Sequence, residues 1–369
     1  MKYHLCLAAL LSTLLACDEP LTLPPEGKAT GRITVLDTIG PEGNTGWWPN
    51  IAFDSKQIPH VSYCDAYHGN MMYAVREADG SWRVEVVNDD GAVGKYASMA
   101  IGPDDQPAVA YYDQSMKYLR YSYRTTEGWK HEKVAWGLEV GMGSSLGFDA
   151  KGRAHLVYYL PSGKFAYGRR EGPNNWTKKI LIEVTGGFSV KTSMVQKDDA
   201  FWVSFVDWNF TDTTLHLARP LDAEKMQYHT EIITDRHGPG WRSQIIFQGN
   251  TPTIVYSSNR RKQLKLTEWS VEGWKHTVLV NEALTFAARA DSKGDYVIAY
   301  EDMSGKYTDA GSIKLLRGRD KTWEVVHIDH EGPSGEHLAM AINSQGQATI
   351  AYFSRTVRGI KIYDESAPN

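Results

Sequence analysis

Gln106-Pro107-Ala108-Val109-Ala110-Tyr111-Tyr112-Asp113 is one copy of a short apolar stretch that recurs along this 369-residue chain. Seven copies share an aromatic residue at one position: Tyr63, Tyr111, Tyr158, Phe205, Tyr256, Tyr300 and Tyr352. Successive aromatics are 48, 47, 47, 51, 44 and 52 residues apart. A nearly constant period in this range indicates a propeller, a solenoid or another repeat array.

The repeat that contains this stretch has four strand-like segments. They lie at 98–101, 107–112, 118–124 and 129–134, and a polar loop at 113–117 separates the second from the third. Short segments rich in β-branched and aromatic residues, bounded by Gly, Asp and Pro turns, are typical of an antiparallel meander. Four strands in about 48 residues are the size of one propeller blade.

The last repeat ends before its fourth strand, and the start of the chain supplies the missing one. Residues 31–37, GRITVLD, match 82–88, WRVEVVN, the fourth segment of the first repeat. Closing the ring in this way removes the exposed strand edges of an open array. The sequence therefore predicts an all-β chain with one seven-bladed β-propeller at 31–365, its last blade closed by the N-terminal strand, and a tail at 366–369. Two smaller domains are the alternative, which the even period disfavours.

The first 17 residues have the features of an export signal. The apolar run at 5–15 is too short to span a bilayer as a helix and fits the core of a signal peptide. Leu14-Leu15-Ala16-Cys17 resembles the bacterial lipobox, which implies cleavage before Cys17, lipidation of Cys17 and a place in the cell envelope, periplasmic or on the cell surface. An ordinary secretory signal cut nearby is the alternative. The polar, Pro-containing segment 18–30 is predicted to be a tether, or otherwise to fold back on the domain.

Composition limits the classes of partner. The net charge is −4 and there is no basic block, so we expect no nucleic-acid partner. Cys6 leaves with the signal and Cys17 is the predicted anchor, so Cys64 alone remains and no intrachain disulfide is expected. The sequence thus predicts a monomer without a cofactor, attached to the membrane by its lipid alone.

One face of the propeller is predicted to carry the function. In an antiparallel blade the second strand ends where the first begins, so residues at those two points lie together around the mouth, the end of the central channel at which the first strands begin. Four repeats place an acid after the second strand: Asp65, Asp113, Asp207 and Asp302. The residues just before the first strands are Trp48, Tyr96, Gly143, Lys191, Trp241, Thr285 and His337. Because this ring varies while the frame repeats, we expect an asymmetric pocket there.

Each group of mouth residues has a structural alternative. The Asp side chains can accept backbone N–H bonds in the turn after the second strand, and the aromatics can plug the channel. As a binding site, Trp48, Tyr96, Lys191, Trp241 and the four Asp suit a sugar ring, and the carboxylates can alternatively hold Ca²⁺. His60 and His155 share one strand position and are interpreted as packing residues, and no His, Cys or carboxylate cluster has zinc spacing.

The turns, second strands and G-x-W hairpins of the repeat resemble the BNR-like, or sialidase-like, propeller repeats of exported bacterial proteins. That resemblance implies the fold, but the family includes lectins, lyases, glycosidases and binding scaffolds. The Asp-box S-x-D-x-G-x-x-W is absent: Asp149-Ala150-Lys151-Gly152 is followed by Arg153-Ala154-His155. No arginine triad is matched, and the pairs at 169–170 and 260–261 are interpreted as solvated charge.

The predicted function is a membrane-tethered extracytoplasmic binding module that engages a glycan or an envelope protein through the mouth. The alternatives are a carbohydrate-active enzyme, either a polysaccharide lyase or a glycoside hydrolase, and a structural part of an envelope complex. The candidate acid and base groups of an enzyme are Asp113, Asp207, Asp302 and His337.

Overall fold

The regular structure of this protein is β-strand throughout the part of the chain that is described. The computed structural model describes residues 21–38, 44–161, 163–183, 192–208, 213–234, 240, 242–258, 262–305, 311–320, 322–332 and 334–368. Within these ranges no helix is long and apolar enough to cross a membrane.

The strands form seven sheets, which are the blades of a β-propeller: six have four antiparallel strands, and the remaining one has four antiparallel strands and a short fifth strand paired in parallel at its outer edge. Two strands precede the first complete blade, β1 (Gly27–Lys28) and β2 (Gly31–Thr38). Blade 1 comprises β3 (Thr45–Phe53), β4 (Pro59–Asp65), β5 (Asn70–Arg76) and β6 (Trp82–Asn88). Blade 2 comprises β7 (Lys95–Ile101), β8 (Pro107–Asp113), β9 (Tyr118–Thr125) and β10 (Gly128–Trp136). Blade 3 comprises β11 (Ser145–Phe148), β12 (Ala154–Leu160), β13 (Lys164–Gly172) and β14 (Asn175–Glu183).

The remaining blades follow the same order along the chain. Blade 4 comprises β15 (Ser193–Lys197), β16 (Ala200–Trp208), β17 (Thr213–Asp222) and β18 (Gln227–Thr234). Blade 5 comprises β19 (Ser243–Gln248), β20 (Thr251–Ser258), β21 (Gln263–Ser270) and β22 (Gly273–Val280). Blade 6 comprises β23 (Ala283–Ala290), β24 (Tyr296–Asp302), β25 (Ser312–Arg319) and β26 (Thr322–Asp329). Blade 7 comprises β27 (Ser334–Ile342), β28 (Ala348–Ser354) and β29 (Gly359–Pro368), with β2 as its outer strand.

The ring closes as the sequence predicts. β2 pairs antiparallel with β29, with Ile33 opposite Tyr363 and Gly31 opposite Pro368. The fourth strand of blade 7 therefore comes from the N-terminal part of the chain. The pairing continues to Pro368, so β29 extends past the predicted boundary at residue 365.

The recurring aromatic residue is a wedge between blades. Tyr63 on β4 donates a hydrogen bond to Asp37 on the outer strand of blade 7 (2.6 Å). Tyr352 donates in the same way to Asp329 on the outer strand of blade 6 (2.7 Å). Each ring is buried in the core, so its position is set by the fold and carries no functional information.

The turns between first and second strands are fixed by a side chain that accepts two backbone N–H groups. Oδ1 of Asp149 accepts from Lys151 (3.0 Å) and from Arg153 (2.8 Å). The same arrangement is built around Asp54, Asp291 and Asn343. An Asx side chain in this position satisfies turn donors that strand pairing leaves open.

Part of the segment predicted as a tether, 18–30, lies against the propeller. The N–H of Leu21 donates to the carbonyl of Val278 (3.0 Å), and β1 pairs parallel with β26. Glu26 forms an ion pair with Lys314 at 2.5 Å. Over residues 21–28 the structure thus has the second of the two predicted conformations, folded back on the domain. Cys17 and the predicted signal at 1–17 lie outside the described residues.

Candidate functional site

The mouth is shaped by an irregularity at the start of the first strands. Trp48 and Tyr96 have left-handed backbone conformations, with φ of 48° and 56°, and each follows two residues after a glycine of positive φ, Gly46 or Gly94. The pairing of β3 with β4 and of β7 with β8 shifts register at these points. Bulky residues rarely adopt positive φ, at a cost of about 1–3 kcal/mol, and such strain concentrates at functional positions. The bulges turn the two rings toward the channel axis.

These bulges bring a cluster of aromatic rings together across the mouth. The ring of Trp48 lies 5.2 Å from Tyr96 and 5.2 Å from His337, measured between centroids. Trp47 joins the cluster at 4.9 Å from His337 and 5.5 Å from Phe353. Such distances are those of favourable aromatic pairs. The first and last blades are therefore tied together at the mouth by ring contacts.

The cavity left among these rings is small. It measures about 30 Å³ and is lined by Trp48, Tyr96, Gly143, Arg242 and His337 together with their neighbours. A single water needs about 10–15 Å³ of such space, so a sugar ring cannot enter here and would have to lie on top of the aromatics. The alternative that the aromatics plug the channel thus describes Trp48, Tyr96 and His337 in this structure.

Three other residues predicted to surround the mouth are either hydrogen-bonded within the fold or outside the described residues. Thr285 donates to the carbonyl of Gly335 in the neighbouring blade (2.5 Å), so its hydroxyl joins two blades. Lys191 and Trp241 lie outside the described residues. Arg242, which the sequence reading missed, lines the mouth cavity.

Three of the four mouth carboxylates serve the turn that follows the second strand. Oδ1 of Asp113 accepts the N–H of Met116 (2.8 Å), and its Oδ2 pairs with Nε of Arg120 (2.5 Å). Asp113 is fully buried, so no face of its carboxylate is open to a ligand. The turn-capping alternative is therefore the one that the structure supports for Asp113.

Asp65 and Asp302 are engaged in the same manner. Asp65 accepts the N–H groups of Tyr67 and His68 and contacts the His68 ring at 2.7 Å. Asp302 accepts the N–H of Ser304 (3.1 Å) and pairs with Lys314 at 2.7 Å, and those bonds hold its pKa below the usual value although burial opposes the shift. These acids are tied to fixed partners, which disfavours them as proton donors or cation ligands.

Asp207 differs from the other three. Its Oδ1 is buried and makes no hydrogen bond within the described residues, and burial raises its pKa. A carboxyl in this state is a candidate for protonation or for a ligand contact. Asp207 therefore remains the acid at the mouth most open to a functional role.

The strand histidines are packing residues, as predicted. His155 contacts the Tyr167 hydroxyl at 2.5 Å and the Asp149 carboxylate at 3.0 Å, and burial lowers its pKa. His60 repeats the contact with Tyr73 at 2.5 Å. Over the described part of the chain, no group of three His, Cys, Asp or Glu side chains is arranged to hold a metal ion.

The interpretation of Arg169 and Arg170 as solvated charge is wrong, and the second pair, at 260–261, lies outside the described residues. Arg170 forks onto the buried carboxylate of Glu132 on the preceding blade, with Nη2 at 2.6 Å from Oε1, and its guanidinium lies 4.7 Å above the Tyr123 ring. Arg169 pairs with Glu171 at 2.8 Å and reaches Glu224 on the next blade at 3.2 Å. Both arginines therefore join blades together.

A row of exposed apolar side chains lies on the mouth face beside the aromatic cluster. Its members, which we call the loop ridge, are Tyr67, Met116, Trp136 and Leu138, exposed by 53%, 50%, 72% and 61%. Backbone hydrogen bonds of 2.8–2.9 Å join their loops, from 66–69 to 89–94, then to 114–117, and from there to 137–144. The ridge thus lies on consecutive loops of blades 1 and 2 whose backbones are hydrogen-bonded to one another.

Comparison with known proteins identifies the fold only. No family model matches the chain, and no curated protein matches its sequence. Among solved structures it is similar to YCF48 bound to the D1 peptide, with a TM-score of 0.62 and 12% identity over 93% of this chain and 97% of that one. It is also similar to the polysaccharide lyase PL25 ulvan lyase, with a TM-score of 0.58 and 11% identity over 90% and 97%.

A sialidase is also among the similar structures. NanB sialidase from Streptococcus pneumoniae has a TM-score of 0.49 and 10% identity, over 93% of this chain and 71% of its own. Identities this low carry no information about activity. The seven-bladed β-propeller is therefore established, and its ligand is not given by likeness.

Proposed function

We propose that this protein is a binding protein that takes a peptide or protein partner on the loop ridge, next to the aromatic mouth. The observation that carries the proposal is the exposure of four large apolar side chains in one row of joined loops. Exposed apolar patches beside polar surroundings mark interaction sites. Trp and Tyr, with Met, are the residues enriched where protein interfaces form.

The ridge has the features expected of a binding hot spot. Trp136 and Leu138 are two residues apart and both protrude. Truncating a central Trp in an interface typically costs about 2–4 kcal/mol, which corresponds to roughly a 30- to 1,000-fold loss of affinity. The backbone of this edge is held by hydrogen bonds to its neighbours, so little ordering is required when a partner binds.

YCF48 shows that a propeller of this fold can bind a peptide. That protein has the same fold and was solved with a peptide bound. Its likeness to this chain concerns the fold alone, so the peptide site proposed here rests on the ridge of this chain and on nothing transferred from YCF48.

Binding at the ridge is tested by selecting a random peptide display library against the full chain. The variant Trp136→Ala/Leu138→Ala should lose at least about 100-fold in affinity for the selected peptides. The matched control is Trp269→Ala/Val271→Ala, which removes another exposed Trp and aliphatic pair from the β21–β22 hairpin on the opposite face. No enriched peptide, or equal losses in both variants, would contradict the proposal.

A glycan is the second candidate, favoured by the ring faces at the mouth. Trp48 and Tyr96 are partly exposed, and aromatic faces suit the apolar face of a sugar. The hydrolase or lyase alternative is less well supported, because Asp113 and Asp302 are tied to Arg120 and Lys314. On a glycan array Trp48→Ala should abolish binding and the ridge variant should retain it. The opposite pattern would assign the ligand to the ridge.

The envelope-complex alternative has a different surface. Ile33 and Val35 on β2, and Val84 and Val86 on β6, are exposed on the outer strands of neighbouring blades. Hydrogen exchange on a captured complex distinguishes the sites: protection of 66–69 and 114–117 supports the ridge, whereas protection of β2 and β6 supports the outer rim.

Export and lipidation belong to the same proposal. The sequence of 1–17 supports attachment through Cys17 at the bacterial cell envelope. Mass spectrometry of the protein from bacterial membranes should find Cys17 at the N-terminus with acyl chains, and Cys17→Ser should release the protein from the membrane fraction. An unmodified, membrane-bound Cys17→Ser protein would contradict the lipid anchor.

A further inference from the structure

A second cavity lies in the central channel directly below the mouth. It measures about 250 Å³. Residues that line the mouth are followed immediately in sequence by residues that line this cavity, as in Ala97–Ser98, Ser144–Ser145 and Leu338–Ala339. The two spaces are therefore stacked along the channel, one strand residue apart. The lower one is several times the volume of a bound water.

Serine hydroxyls from three successive blades face this space. Ser98 accepts the N–H of Leu146 (3.0 Å), Ser145 accepts that of Met194 (3.2 Å), and Ser193 accepts that of Ile245 (3.2 Å). Because each oxygen is used as an acceptor, the hydroxyl proton remains to be donated. The wall of the cavity thus offers hydrogen-bond donors from blades 2, 3 and 4.

The cavity also holds a positive charge that the other blades do not repeat. Arg289 on β23 lies opposite Val297 on the second strand. The residues in the same register position of the other six blades are small or apolar: Ala52, Ala100, Gly147, Val195, Ile246 and Ala341. A charged side chain at this one position is not required by the frame, which forms without it elsewhere.

Arg289 has no carboxylate partner among the residues described. Its Nη1 donates to the carbonyl of Ala288 (2.8 Å), and no charged group offsets the effect of burial, which lowers its pKa. A guanidinium has five N–H donors and stays protonated. Arg289 is partly buried, and withdrawing even part of such a charge from water without a partner is unfavourable. A cavity that holds it together with hydroxyl donors is complementary to an anion.

We propose that the channel cavity binds a small oxyanion, a sulfate, phosphate or carboxylate, between Arg289 and the serines at 98, 145 and 193. The guanidinium supplies the charge and a planar pair of donors, which suits such groups. The site lies beneath the mouth and is separate from the ridge, so it goes beyond the proposed function and does not depend on it.

The test measures binding of radiolabelled sulfate to the full chain by equilibrium dialysis at constant ionic strength. Saturable binding of one sulfate per chain, displaced by acetate, is expected. Arg289→Met should weaken it at least tenfold. Arg319→Met, which removes an exposed arginine from β25 of the same blade, should leave it unchanged. An absence of saturable binding, or equal affinity in wild type and Arg289→Met, would overturn the site.

Two further variants keep the result decisive. If Arg289→Met does not fold, Arg289→Lys keeps the charge but loses the planar fork, and it should bind sulfate at least threefold more weakly; unchanged affinity overturns the proposal. Trp48→Ala alters the mouth and should leave sulfate binding intact. Loss of sulfate binding in Trp48→Ala would place the anion at the mouth and overturn the assignment to Arg289. A failed ridge experiment has no bearing on either result.

Discussion

Replacing Asp113 by Ala distinguishes a structural acid from a ligand-binding one. The carboxylate is buried, lies 2.5 Å from Nε of Arg120 and accepts the N–H of Met116 at 2.8 Å. Removing one partner of a buried ion pair costs about 3–5 kcal/mol. Asp90 lies 3.6 Å from Nη2 of Arg120 and is exposed, so it compensates in part. We therefore expect the lower end, about 3 kcal/mol.

That free energy converts to a modest change in melting temperature because the propeller is large. The entropy of unfolding is about 2.1 cal/mol/K per residue, or roughly 0.7 kcal/mol/K for about 335 residues. A loss of about 3 kcal/mol then lowers Tm by about 4 °C. Differential scanning calorimetry resolves such a change.

The double variant Asp113→Ala/Arg120→Met is the informative control. It also removes the Arg120 charge that Asp113→Ala leaves buried without its partner, so it should recover most of the lost stability. Asp65→Ala is a matched acid whose side-chain partner, His68, is largely exposed, and it should lower Tm by less. An unchanged Tm in Asp113→Ala, or a double variant no more stable than the single one, would refute this role for Asp113.

The remaining predictions concern pH, ring closure and thiol reactivity. Burial lowers the pKa of His216 to about 4, so as the pH falls the unfolded chain binds a proton before the folded chain does, and the free energy of unfolding decreases. Between about pH 7 and pH 4 this residue should account for a decrease of about 3 kcal/mol. Urea-unfolding curves of His216→Gln should lack this part of the pH dependence. Tyr63→Phe removes the hydrogen bond to Asp37 between the first and last blades and should cost about 1–3 kcal/mol; equal urea midpoints would contradict a stabilising role for this bond. Burial raises the pKa of Cys64 to about 12, so peptide mapping should find it alkylated by iodoacetamide only after unfolding; rapid alkylation of the folded protein would contradict its burial.

The sequence by itself determined the fold of this protein. Each blade follows from a local pattern: an apolar second strand with a central aromatic is repeated seven times at nearly equal spacing, and four of the repeats place an Asx turn before it. Because every blade packs on its neighbours through the same strand positions, the repeat period alone was enough to predict the propeller. The closing strand was found in the same way, because 31–37 carry the pattern of an outer strand.

The candidate sites depend on partners that the sequence places far apart. Asp113 is tied to the turn and closed to a ligand because Arg120 on the next strand pairs with it. Arg170 joins two blades because Glu132, on another blade, binds its guanidinium. The Gly-x-Trp48 and Gly-x-Tyr96 spacing was a visible signal for the bulges, but the ring contacts that nearly fill the mouth arise only when distant blades meet.

Arg289 shows the same division most clearly. The sequence places a charge among small residues at one register position, and it does not reveal what lies opposite. Closing the ring brings seven first strands around one axis and surrounds Arg289 with the serines of blades that lie far away along the chain. Charge, donors and empty volume come together there only through tertiary structure, because no single blade contains more than a part of them.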